Sequence, residues 1–187
     1  MRVFVAIPVP DDVRRALGEF IAKLHRTCPQ ARWVRTEGMH VTLKFIGEAG
    51  EEKVEQIKAA IAVVRSAAPV ELRFHNAGFF PNPKHPRVFW AGIDATPNLA
   101  EIAQAIESQL ESFGIPREAR AFRPHLTLAR FNSQEGVPKL GEALAQLAPF
   151  DFGATTARQF HLYQSVLKRG GAEYTVLADF DFVKGGA

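Results

Sequence analysis

Apolar residues recur along this chain with two different periods, and the changes of period mark out its elements. Val3 to Pro8 is apolar almost without a break and reads as a buried strand. The spacing then lengthens. Val13, Ala16, Leu17, Phe20, Ile21 and Leu24 share one helical face, with Asp11 or Asp12 placed to cap it. Ala31 to Val34 is short and strand-like, and His40 to Ile46 reads as a second strand. A helix is expected from Glu51 to Ser66, with Val54, Ile57, Ile61 and Val64 inward and acidic residues at its positive end. Val70 to Phe80 and Arg87 to Ile93 read as strands joined by a stiff loop with three prolines, Pro81 to Pro86.

The alternation continues through the second half. Leu99, Ile102, Ala103, Ile106, Leu110 and Phe113 form a helical face that Gly114 and Pro116 stop. Phe122 to Phe131 reads as a strand and Val137 to Leu147 as a shorter helix. Two late strands, Phe152 to Leu162 and Ala172 to Phe182, flank the turn residues Lys168-Arg169-Gly170-Gly171. Strands and helices mixed in this way predict an α+β fold with largely antiparallel sheets.

Composition narrows the function classes. With 187 residues, 47% hydrophobic and 23% charged, the chain suits one domain spanning 1–187 and excludes collagen-like, coiled-coil and disordered architectures. Its apolar runs are far shorter than the roughly 20 residues that cross a bilayer. No membrane association and a cytoplasmic location are therefore the expectation. A net charge of +3 permits an anionic ligand without demanding one. The single cysteine, Cys28, allows neither an internal disulfide nor a multi-cysteine zinc site.

One long-range repeat carries chemistry. His40-Val41-Thr42-Leu43 recurs 85 residues later as His125-Leu126-Thr127-Leu128, both inside expected strands. Random placement gives about 0.02 copies of His-x-Thr-Leu in such a chain, so two are a specific signal. Alternate strand residues share a face, which sets His40 beside Thr42 and His125 beside Thr127, and turns Val41, Leu43 and Phe45 the other way. Two imidazoles meeting across a groove could give and take protons in an in-line displacement at phosphorus. The two hydroxyls would hold its non-bridging oxygens. Strand parity places Lys44 and Arg123 on the histidine faces and Arg130 on the opposite one, at a strand end where the chain can change direction. A zinc site is disfavoured, since Thr follows each histidine where a ligand would be needed.

These residues resemble the 2H phosphoesterases, in particular the branch of RNA 2′,3′-cyclic phosphodiesterases also known as 2′-5′ RNA ligases. The resemblance runs through Arg2 to Ile7, His40 to Gly47, Pro86 to Gly92, Phe122 to Arg130 and Leu162 to Ser165. It implies a bilobal, pseudo-twofold arrangement of antiparallel sheets with outer helices and a central cleft. It also implies hydrolysis of a 2′,3′-cyclic phosphate to a 2′-phosphate with no metal or other cofactor, and reversible ligation of RNA ends. The partners expected are RNA ends or nucleotides bearing a 2′,3′-cyclic phosphate, bound by a monomer. Within this reading His125 is assigned as the base that activates water and His40 as the acid, though the symmetry of the motifs leaves the order open. Thr42, Thr127 and Arg130 would grip the phosphate, with Lys44 and Arg123 behind them. The alternatives are a different nucleotide phosphodiester, or a binding module without turnover. His25, His75, His85 and His161 lack a matching partner in sequence and read as surface or structural groups.

Overall fold

The structure, a computed structural model, describes residues 1–183. Nine strands and four helices are present among them. The strands are β1 (Arg2–Pro8), β2 (Arg32–Trp33), β3 (His40–Glu48), β4 (Val70–Phe80), β5 (Val88–Ala95), β6 (His125–Arg130), β7 (Asp151–Ala157), β8 (Gln159–Lys168) and β9 (Gly171–Asp181). The helices are α1 (Asp11–Leu24), α2 (Glu51–Ile61), α3 (Asn98–Glu111) and α4 (Val137–Leu147).

The strands form two antiparallel sheets, β3-β1-β8-β9 and β2-β6-β5-β4-β7. The α+β architecture expected from the sequence is the one found. β1 is covered on both faces, which explains its unbroken apolar run. β3 and β6, the two motif strands, meet where the sheets adjoin.

The helices are exchanged between the halves. α1 leaves the first sheet yet packs behind the second, where Phe20 meets Phe89, Phe150 and Phe152. α3 leaves the second sheet and packs behind β3 of the first, together with α2. A continuous core joins the inward faces of both sheets and all four helices.

Three expectations about element boundaries and caps need correction. The stretch Phe152 to Leu162 is two strands in different sheets, broken at Arg158. Its buried positions change phase there, from Ala157 to Phe160, without any Gly or Pro to announce the break. α2 stops at Ile61, and Val64 is buried from a turn instead of from the helix. Asp11 and Asp12 lie in the first turn of α1, after a Pro10 N-cap, so they favour the helix through its dipole and not as caps.

The largest correction concerns Lys44. In β3 the register against β1 runs from Thr42↔Ala6 to Lys44↔Val5, so Leu43 is an extra, bulged residue. Leu43 and Lys44 therefore both face the core, and Phe45 emerges on the histidine face, 63% exposed. The Lys44 ammonium, 2% exposed, donates to Glu107 Oε2 at 2.9 Å and to the Pro116 carbonyl at 2.7 Å. It ties α3 and the segment after it to the back of the motif strand, on the wrong side for substrate.

Replacing Glu107 with Ala should leave that ammonium uncompensated in the core and cost ~3–5 kcal/mol in urea denaturation. The double replacement Lys44→Met with Glu107→Leu should come out near neutral by the same measurement. Should Lys44→Met instead leave stability intact and abolish substrate binding, the structural assignment fails.

Candidate active site

Both histidines are held by the same local device. His40 Nδ1 lies 3.1 Å from the Gly38 carbonyl, and His125 Nδ1 lies 2.8 Å from the Arg123 carbonyl, in each case two residues earlier. A carbonyl oxygen can only accept, so Nδ1 carries the proton in both rings. Each Nε2 is thereby left free for a substrate, with the ring orientation set by backbone. Gly38 allows its own clamp: a Cβ there would sit 3.0 Å from the Tyr174 ring.

The bulge of β3 has a counterpart in β6. Thr127 pairs with Trp90 and Ala129 with Phe89, which makes Leu128 the extra residue. Leu128 and Ala129 are fully buried, whereas Arg130 turns out to solvent on the face of His125 and Thr127. Plain strand parity put Arg130 on the other side, and the bulge reverses it. The two motifs thus correspond residue for residue in register and bulge position, with Phe45 in the place that Arg130 takes in the other. Arg123 lies before β6 begins, and its side chain borders a concavity beside His125.

The surroundings of the two imidazoles differ. His40 packs 4.4 Å from the Tyr163 ring, 5.1 Å from Tyr174 and 5.7 Å from Phe4. Burial in this aromatic corner pushes its pKa from 6.5 down to about 4. The Gly38 carbonyl opposes the shift, while the charges of Arg14 and His161 add to it. His125 is more open, with Phe80 edge-on at 5.5 Å. The free site therefore holds His40 neutral at pH 7, a state that suits a base and disfavours the acid role assigned to it from sequence.

Two further groups belong to this face, although the sequence reading set one aside and passed over the other. His161 pairs in register with Ala6, which pairs with Thr42, and its Nδ1 lies 2.5 Å from Asp179 Oδ1. A third imidazole thus stands in the row of the first motif, with a carboxylate close by but no hydrogen bond between them. Its two-residue spacing from Tyr163 was the available signal. Arg32 of β2 is directly opposite Arg130. Two exposed guanidiniums in register repel each other unless an anion lies between them. By contrast Cys28 is buried, and burial pushes its thiol pKa up, as befits a packing residue.

Two histidines with backbone-clamped Nδ1 atoms, each two residues before a threonine on contacting strands of a two-sheet α+β fold, are the arrangement expected of a two-histidine phosphoesterase. The chain belongs to the 2′-5′ RNA ligase superfamily, whose model matches residues 9–167. It is 32% identical to the RNA 2′,3′-cyclic phosphodiesterase of Archaeoglobus fulgidus, over 97% of this chain and all of that one. Among solved structures, TT0787 of Thermus thermophilus matches with a TM-score of 0.78 and 30% identity, covering 97% of this chain and 98% of that one. Escherichia coli LigT in complex with 3′-AMP matches with a TM-score of 0.78 and 28% identity, over 98% of each chain.

His40 should titrate near pH 4 in histidine-selective NMR of the free protein. Its folded pKa lies below its unfolded one, so the unfolded chain binds the proton first as pH falls. Stability should be fully present above about 6.5 and decline as pH falls toward about 4. His40→Gln should remove that part of the acid sensitivity. A midpoint near 6.5 would overturn the account.

Proposed function

We propose that this protein hydrolyses RNA or nucleoside 2′,3′-cyclic phosphates to 2′-phosphates by acid–base catalysis between His40 and His125, without a metal. The observation that carries the reading is the matched pair of backbone-clamped imidazoles, each presenting Nε2 beside a threonine. The curated relatives named RNA 2′,3′-cyclic phosphodiesterase support the choice of substrate.

In this mechanism Thr42 and Thr127 donate to the non-bridging oxygens, and Arg130 adds charge where the transition state gains it. Neutral His40 accepts a proton from water as its oxygen attacks phosphorus. The P–O3′ bond breaks in line, and protonated His125 donates to O3′. The order is the reverse of the sequence-based assignment, and the buried, neutral state of His40 is the reason for it. With the 5′-hydroxyl of a second RNA end in place of water, the same groups form a 2′-5′ linkage, and run backwards they cleave one. A nucleotide-binding module without turnover would need no proton-transfer pair.

Single His40→Ala and His125→Ala changes should each lower kcat/KM by about 10²–10⁴, with EDTA having no effect on the wild type. A substrate with sulfur in place of the bridging 3′-oxygen leaves without an acid. It should restore turnover to His125→Ala and not to His40→Ala. Rescue of His40→Ala instead would exchange the two roles, and wild-type activity in either variant would remove the two-histidine mechanism.

A further inference from the structure

Beside His125, on the same face of the second sheet, lies a concavity of about 260 Å³ whose walls include Phe80, Trp90, His75, Asp94 and Arg123. His125 itself forms part of the wall, so an occupant would be continuous with a group reacting at its Nε2. We propose that this concavity is a nucleobase subsite, and that Asp94 makes it select bases carrying an exocyclic amino group over uracil. The proposal rests on the cyclic phosphodiesterase reading and names the part of the substrate that this side of the cleft reads.

The wall chemistry points to a base. Phe80 and Trp90 lie 5.3 Å apart at 33°, an apolar aromatic surface next to the catalytic ring. The Trp90 ring lies flat against Gly78, where an added Cβ would come within 2.3 Å of it, so its position is fixed by close backbone approach. Ribose and phosphate have no planar apolar face to set against such a surface, whereas every base has one.

Selectivity follows from how Asp94 is held. Its Oδ2 lies 2.5 Å from His75 Nε2, while the carboxylate remains 76% exposed. The histidine therefore orients the group and occupies one oxygen, leaving Oδ1 as an acceptor at the rim. Adenine, guanine and cytosine each offer an amino group to such an acceptor. Uracil offers one N–H between two carbonyl oxygens, which a carboxylate repels. Arg123, with donors only, also lines the concavity and would take the base's acceptor atoms or the ribose oxygens.

The test is kcat/KM for the 2′,3′-cyclic phosphates of adenosine, guanosine, cytidine and uridine, with wild type and Asp94→Asn. The wild type should prefer the best amino-bearing substrate over uridine by about tenfold. Asp94→Asn gives the rim a donor for the uracil carbonyl and should bring that ratio to one or below. The proposal is overturned if wild type treats all four alike, or if the ratio is the same in Asp94→Asn. It is equally overturned if Phe45→Ala, on the opposite sheet, changes the ratio while Asp94→Asn does not. Failure to turn over any of the four would sink the reading of the reaction and the subsite with it, a result distinct from uniform turnover.

Discussion

Where β3 passes β1, and again where β6 passes β5, the motif strand threads one residue more through the hydrogen-bond ladder than its neighbour does, apart from a second irregularity at Ile46 of β3. That extra residue follows each His-x-Thr, and the composition of the cleft depends on it. A strand of strict alternation would set Lys44 beside the histidines and drive Arg130 into the core behind them. Burying an unpaired guanidinium costs several kcal/mol. With the bulges in place, Arg130 reaches solvent on the face of the histidines, Ala129 fills the space behind it, and Lys44 turns inward to a prepared acceptor in Glu107. One backbone irregularity, used twice, separates the charge that reaches the histidine face from the charge that fastens the fold.

The same duplication that supplies two similar strands also gives them dissimilar surroundings. Around His40 the first sheet gathers Phe4, Tyr163 and Tyr174, which exclude water and keep the imidazole neutral. Around His125 the second sheet leaves an open concavity with charged groups on its rim. Two identical motifs therefore place their imidazoles in unlike surroundings, one closed in by aromatic rings and one beside an open concavity. The difference lies outside the motifs, in residues of β8, β9 and β5 that show no internal repeat.

That distinction explains what could be read from the chain. The repeat of His-x-Thr-Leu, the strand character of its surroundings and the α+β class were legible, because short-range periodicity and motif spacing determine them. The side on which Lys44, Phe45 and Arg130 emerge was not, since a bulge is a property of two strands in register and leaves no mark in either alone. The break at Arg158 escaped for a related reason: a chain that changes sheets while staying extended keeps its strand composition throughout. His161 illustrates a third limit. Its spacing from Tyr163 was visible, but the strand that brings Asp179 beside it arrives by the β8–β9 pairing, which the single histidine does not announce.

The exchange of helices between the halves bears on how the cleft meets substrates of different size. α1 departs from the first sheet and braces the second, and α3 does the reverse. Rotating one sheet away from the other would have to drag a helix out of the opposite wall and shear a shared core. The geometry thus denies the enzyme a jaw-like motion. Ligands of different size must then meet a cleft of one width, and accommodation falls to side chains and connecting segments and not to a rotation of the two sheets.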